Sequence, residues 1–296
     1  MHHLKTEESV TELQAYLQVR RDIINLALDI RLPGIDKAPG EVHKAMRYAV
    51  LGQGKRLRPI LTLAVADLCN VQPESMLDAA CAIELAHTAS LILDDLPCMD
   101  NGITRRGLPC THLAFDKATA ILASMGLISL GFQLIVQNCA SLNRNESTGD
   151  AVLRFAEAIG TGGLVYGQHL DLCFTGNTPS LSDLECIHHH KASVLFLSAL
   201  EVPAIVLGMD TLSMNALQVY AENLGLAFQI TDDLLDACKV SGEDDGKSTF
   251  ATHLGVCGAK DKVQKLTNKA IGALEVFADR ADMLRLFPLY VQSRNT

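Results

Sequence analysis

Two runs of aspartate stand inside stretches that are otherwise apolar. The first is Leu91-Ile92-Leu93-Asp94-Asp95-Leu96-Pro97-Cys98-Met99-Asp100, and the second is Phe228-Gln229-Ile230-Thr231-Asp232-Asp233-Leu234-Leu235-Asp236. Clustered carboxylates in such surroundings are costly unless a metal, a cation or solvent neutralises them. Hard oxygen donors of this kind suit Mg²⁺, which is typically held by one or two carboxylates together with substrate phosphates. In the second run Asp232 and Asp236 are i and i+4 on one helix face, with Gln229 on the adjoining turn. A solvated helix end explains the first run alone about as well as a metal does. Two such runs, far apart in sequence, favour two facing Mg²⁺ platforms that grip one diphosphate.

The rest of the chain reads as helix. Apolar residues recur at three- and four-residue steps, and no alternating β pattern of useful length, repeat or low-complexity linker occurs. With 48% hydrophobic residues over 296 positions the chain can bury a sizeable core, and residues 1–296 are expected to form one all-α domain. Residues 143–150 (NRNESTGD) read as a surface loop, and Ser182 as an N-cap before Asp183 and Glu185. Ala118 to Val136 and Val194 to Met209 are expected to be helices buried on all sides, not membrane spans. Nine cysteines without a C-x-x-C pair, and opening residues (MHHLKTEESV) without an apolar signal core, fit free thiols in the cytoplasm. A formal charge of −9 argues against a nucleic-acid partner.

The cations cluster near the acids. Gly54-Lys55-Arg56-Leu57-Arg58-Pro59 places three within four residues, Arg105 and Arg106 follow the first acid run, and Lys191 and Lys247 lie further on. Each alone is more often a solvated surface charge; together, in an acidic protein, they suit phosphate oxygens. His87 is seven residues before Asp94, so two helical turns put it about 20° from Asp94, able to donate into the same cavity. His188-His189-His190 cannot share one helix face and reads as structural or surface. The segment Gly242 to Ser248 resembles a P-loop superficially, but only three residues separate its glycines and no strand precedes it.

These residues resemble the trans-isoprenyl diphosphate synthases, most of all the bacterial geranylgeranyl diphosphate synthases. The likeness is carried by GKRLRP at 54–59, ELAHTASLILDDLPCMD at 84–100, RRGLPCTH at 105–112, GQHLDL at 167–172, FQITDDLLD at 228–236 and GKSTF at 246–250. It implies the isoprenoid-synthase helical bundle around a deep central cavity, usually a homodimer. The implied reaction is a head-to-tail condensation of isopentenyl diphosphate with an allylic diphosphate: dimethylallyl, geranyl or farnesyl. By the resemblance Asp94, Asp100 and Asp232 hold Mg²⁺, with Asp95, Asp233 and Asp236 completing the two motifs. Lys55, Arg58, His87, Arg106 and the backbone of Gly54 match the isopentenyl diphosphate site. Arg105, Lys191, Gln229 and Lys247 match the allylic site.

Three departures stand out. Ala192 follows the lysine where the family commonly has Thr; residues 101–104 (NGIT) lack the extra acids of many relatives; and the segment between Asp236 and Gly246 is short. Small residues, Ala89 and Ser90, occupy the family's chain-length positions before Asp94, which implies a geranylgeranyl or longer product over farnesyl. An ideal wheel puts Ser90 about 40° and Ala89 about 140° from Asp94, which leaves open which one faces a tunnel. A non-catalytic partner subunit would be expected to lose one acid run, and a terpene cyclase would not need GKRLRP. Removing the six motif aspartates takes the charge from −9 to −3, so much of the acidity belongs to the two platforms. With Mg²⁺ bound, their sign inverts.

Overall fold

The computed structural model describes residues 7–174, 178–238 and 249–294, and of residues 7–9 and 236–238 the backbone alone. Helix dominates, as the three- and four-residue periodicity predicts. Contacts divide the chain into two units, one of Ala15–Phe155 with Val202–Gly208, the other of Met1–Gln14, Ala156–Glu201 and Met209–Thr296.

The first unit holds most of α1 (Glu7–Arg31), then α2 (Gly40–Leu51), α3 (Leu57–Leu68), α4 (Leu77–Asp94), a short hairpin, α5 (Thr111–Ala114) and α6 (Lys117–Ser141). α4 lacks Gly and Pro and stops just before Pro97, which cannot continue a helix. Its alanines let α6 approach closely. Asn138 of α6 is wholly buried and caps α4: its Oδ1 accepts from Ala79 N at 2.8 Å, and its Nδ2 donates to Ser75 O at 2.9 Å. Further along, Ser124 Oγ donates to Ala89 O at 3.0 Å. β1 (Thr104–Arg105) and β2 (Leu108–Pro109) are joined by Arg106 at φ 56° and Gly107 at φ 79°. Two left-handed central residues make a tight hairpin whose twist matches its strands.

The second unit contains α8 (Leu164–Cys173), α9 (Leu181–His188), a π-helical turn at His189–Ser193, α11 (Thr211–Cys238), α12 (Phe250–Ala273) and α13 (Asp282–Ser293). Helices α7 (Thr148–Ile159) and α10 (Val194–Leu207) run through the chain boundaries of the two units. Tyr220 of α11 donates its hydroxyl to Leu284 O of α13 at 2.8 Å, satisfying a polar tip inside the core. α12 is interrupted at Gly255 (φ 68°).

Three local expectations change. The N-cap of α9 is Ser180, not Ser182, because Ser180 and Asp183 exchange side-chain and backbone bonds in a capping box. The polar stretch at 143–150 is a short 3₁₀ turn (Asn145–Ser147) leading directly into α7, with Asp150 in the first turn, where the helix dipole favours an acid. α6 is not buried on all sides. Ile121, Leu122, Met125 and Val136 are exposed along one face of it. By length and composition Pro73–Asp94, Lys117–Ser141 and Leu181–Leu207 could cross a membrane, and the apolar window of the second is only 39% buried. The eight cysteines whose side chains are described carry free thiols.

Candidate active site

α4 presents three faces. Positions 87, 90 and 94 share one, positions 88, 91, 92 and 95 a second, and Ala82 and Ala89 a third turned to α6. On the first face Arg58 Nη1 donates to His87 Nε2 at 3.4 Å. Burial, then the guanidiniums of Arg58, Arg106, Arg105 and Arg56, hold the His87 pKa well below its ordinary value. His87 is therefore neutral, accepts from Arg58 at Nε2, and keeps Nδ1–H as a donor. Lys55 is exposed.

Arg56 stands apart from its neighbours. Its φ is 52°, a left-handed backbone that costs a non-glycine residue about 1–2 kcal/mol. Four contacts hold it there. Nη1 donates to Glu84 Oε1 at 2.5 Å, Nη2 to Val50 O at 2.6 Å and Gly52 O at 2.9 Å, and Nε to Asn25 Oδ1 at 3.0 Å. The same Glu84 oxygen accepts from Arg106 Nη2 at 3.3 Å. Gly54 lets these guanidiniums close in: a Cβ there would lie 3.1 Å from Arg56 Nη1 and 3.5 Å from Arg106 Cζ. Burial, opposed by Glu84, lowers the Arg106 pKa, yet it stays charged.

The acids after α4 divide by direction. Asp100 N donates to Asp94 O at 2.9 Å, folding the chain back so that the two residues are neighbours; Asp94 is partly buried and Asp100 exposed. Asp95 turns inward at 3% exposure and accepts from Arg105 Nη2 at 2.5 Å and Nε at 3.2 Å. That bond raises the Arg105 pKa. Burial, then Asp95, pushes the Cys110 thiol up to about 11. A cleft opens here between Tyr48, Ala49, Thr88, Leu91, Arg106 and Pro109.

The second acid run repeats the division. Asp233 is buried and anchors α12: Oδ2 accepts from Phe250 N at 3.3 Å, Oδ1 accepts from Gln229 Nε2 at 3.2 Å, and His188 Nε2 lies 3.7 Å away. Asp232, with 31% of its side chain exposed, pairs with Arg294 Nη2 at 2.8 Å. The Arg294 guanidinium lies 4.6 Å over the Phe228 ring, and its Nε and Nη1 are buried without a hydrogen-bond partner among the described residues. Lys191 Nζ donates to Asp171 Oδ2 at 2.5 Å. His190 Nδ1 donates to Cys186 O at 2.9 Å, so this histidine is structural. Lys247 and the side chain of Asp236 lie outside the described residues.

No group of three or more His, Cys, Asp or Glu side chains among the described residues converges enough to hold a metal alone. That donor set still fits Mg²⁺. Asp94 and Asp100 are adjacent, oxygen-only and accessible, as is Asp232, and an ion bound this way takes its remaining ligands from water and phosphate. Zinc, which wants a closed set of N and S donors, finds none among the described residues.

Glu84, Asp171 and Arg294 contact the candidate site residues Arg106, Lys191 and Asp232, and no sequence motif singles them out. Glu84 carried the same signal as the aspartates, an acid inside an apolar helix. Asp171 sits in the quoted GQHLDL run. Arg294 carried no local signal.

The polyprenyl synthetase family model matches residues 39–253. The chain is 38% identical to geranylgeranyl pyrophosphate synthase 4 of Arabidopsis thaliana, over 96% of this chain and 78% of that protein. It is 40% identical to the chloroplastic geranylgeranyl pyrophosphate synthase of Capsicum annuum, over 93% and 76%. Among solved structures, an FPP/GFPP synthase from Zymomonas mobilis superposes with TM-score 0.87 at 37% identity, covering 96% of this chain and 99% of that one. A geranyltransferase from Legionella pneumophila superposes with TM-score 0.88 at 30% identity, over 97% and 99%.

Proposed function

The chain belongs to the polyprenyl synthetase family and is a prenyltransferase, and from that premise we propose that it condenses isopentenyl diphosphate head to tail with an allylic diphosphate to make geranylgeranyl diphosphate. The observation that carries this reading is the cation group built on α3, α4 and the hairpin: Arg58 on neutral His87, and Arg106 steered by Glu84. It provides for an anion two helical turns from Asp94. A cyclase, with one diphosphate, needs no such group.

Asp94, Asp100 and Asp232 would hold Mg²⁺, which when bound neutralises the leaving diphosphate. The residues of the chain do the rest. Lys191, Arg105, Gln229 and Lys247 orient the allylic diphosphate, whose C–O bond breaks with the electron pair going to oxygen. Arg58, Arg106, Lys55 and the Nδ1–H of His87 hold the isopentenyl diphosphate, whose double bond attacks the allylic carbon. A proton then leaves the new cation for the departing diphosphate, so no side chain is needed as a dedicated base. The allylic cation would need apolar surroundings that keep water from quenching it.

The exposed stripe on α6, uncharged beyond Lys117, supports a homodimer: a contiguous apolar helix face marks an interaction surface, and a second copy of the chain covers it in a symmetric dimer. The test of function is incubation with Mg²⁺, isopentenyl diphosphate and each allylic primer, followed by product-length analysis. Farnesyl diphosphate as the end product would overturn the product assignment, and product formed without isopentenyl diphosphate would overturn the reaction.

A further inference from the structure

Lys191 is carried by an unusual stretch of backbone. His189–Ser193 form one π-helical turn between α9 and α10, a bulge that recurs at functional sites because it re-aims side chains by one residue. Two glycines from other helices of the same unit meet this turn. A Cβ on Gly167 of α8 would fall 2.5 Å from Lys191 N, 2.6 Å from His190 C and 2.9 Å from Lys191 Cα. A Cβ on Gly225 of α11 would fall 2.7 Å from Ser193 Oγ, 2.8 Å from its Cα and 2.9 Å from its Cβ. In a close-packed interior, neither position accepts a side chain without displacing the turn.

Neighbouring contacts show that the seat is built rather than incidental. Tyr166, next to Gly167, lies edge-on to the His190 ring at 4.8 Å. Ser193 Oγ is buried and has no hydrogen-bond partner among the described residues, so packing rather than a polar bond fixes it. Asp171 is four residues after Gly167, on the same face of α8, and accepts from Lys191 Nζ at 2.5 Å. One helical turn of α8 thus supplies both a backbone seat for the Lys191 Cα and a carboxylate for its ammonium.

We propose that Gly167 and Gly225 are positioning residues for Lys191: by bare backbone contact they set the π-turn where the ammonium, steered by Asp171, meets the allylic diphosphate. This rests on the reading above that Lys191 serves that diphosphate. A lysine stem is flexible, but its reach is measured from its Cα, so a shift of the turn moves the charge away from its target. Loss of orientation on the scale of an ångström is costly to transfer chemistry.

The test is steady-state kinetics with both substrates varied. Gly167→Ala and Gly225→Ala are each expected to raise the allylic KM about tenfold, with the isopentenyl diphosphate KM within about twofold of wild type. Gly162→Ala, where an added Cβ meets nothing within 4 Å, should leave all constants unchanged. Adding Ser193→Gly to Gly225→Ala removes two of the three close atoms and should bring the allylic KM back toward wild type; it should not rescue Gly167→Ala. That pair tests the proposal even if Gly167→Ala fails to fold. Equal rises in both KM values, or no rescue, would overturn it. An active wild type whose two alanine variants keep the allylic KM would overturn this inference alone. An inactive wild type would overturn the prenyl-transfer reading, and this inference with it.

Discussion

Arg56 Nη1 donates to Glu84 Oε1 across 2.5 Å, with 1% and 2% of the two side chains exposed. The pair joins the loop before α3 to the middle of α4, and through the second bond from Arg106 it also fixes the hairpin. A buried ion pair adds little net stability over an apolar equivalent, but breaking one strands a charge. Its value here is positional: one carboxylate sets where two chain segments place their cations.

Glu84→Ala should therefore destabilise the fold by about 3–5 kcal/mol, read as a shift in urea midpoint at unchanged slope. Glu84→Gln keeps an acceptor and should lose less. It should also raise the isopentenyl diphosphate KM, because Arg106 is no longer drawn to a charge. A Glu84→Gln enzyme with wild-type stability and kinetics would show that the carboxylate organises nothing.

His87 gives stability a pH dependence of definite sign. Its folded pKa lies well below the ordinary value of 6.5, so between the two the unfolded chain binds more protons. Stability then rises with pH across that window and is lost as the pH falls below about 6.5. His87→Asn should flatten this part of the thermal midpoint profile. His189, also depressed by burial and by His190, has the same sign and remains in both proteins, so the difference profile isolates His87. Parallel profiles for the two proteins would refute the assignment.

Arg294 holds one oxygen of Asp232, the carboxylate expected to serve Mg²⁺. Two cations on one carboxylate compete. Arg294→Gln should lower the Mg²⁺ concentration needed for half-maximal thermal stabilisation several-fold, by removing the competitor. Measured without substrate, this separates metal binding from turnover. A midpoint that is unchanged or higher would mean that Arg294 assists the metal or ignores it.

The exposed face of α6 predicts an assembly change. Leu122 and Met125, 51% and 63% exposed, sit in the middle of the stripe. Leu122→Glu with Met125→Glu adds unpaired charge to the proposed interface between copies and should convert a dimer to a monomer by light scattering, with helicity by circular dichroism retained. A double variant that keeps the dimer mass would place the interface elsewhere.

The helices and the two acid runs were legible because both rest on local signals, periodicity and composition. The direction of each acid was not. Adjacent aspartates are about 100° apart on a helix, so Asp94 and Asp95 must diverge, but only the packing of α4 against the hairpin decides that Asp95 turns inward. Arg56 and Arg58 look equivalent in GKRLRP, yet the left-handed backbone at Arg56 is sustained by Glu84, 28 residues away. Arg294 reaches Asp232 from the far end of α13, where no local pattern announces it. Composition alone also does not tell a helix buried on every side from one with an exposed apolar face, which is where α6 departs from expectation.

That packing also separates the two proposed chain-length positions. Ala89 is wholly buried on the face that α6 covers, under Ser124, whereas Ser90 is partly exposed on the face of His87 and Asp94. On the proposed reading, a ring at 90 would project on the face of His87 and Asp94, beside the growing prenyl chain, while a ring at 89 must force α4 and α6 apart. Ser90→Tyr should shorten the product to farnesyl diphosphate with the thermal midpoint nearly unchanged. Ala89→Tyr should cost about 1–3 kcal/mol by overpacking, whatever it does to the product. Both are read by product-length analysis beside a melting curve. The reverse pattern, with Ser90→Tyr making wild-type product and Ala89→Tyr a stable enzyme with a short one, would move the tunnel to the α6 side of α4.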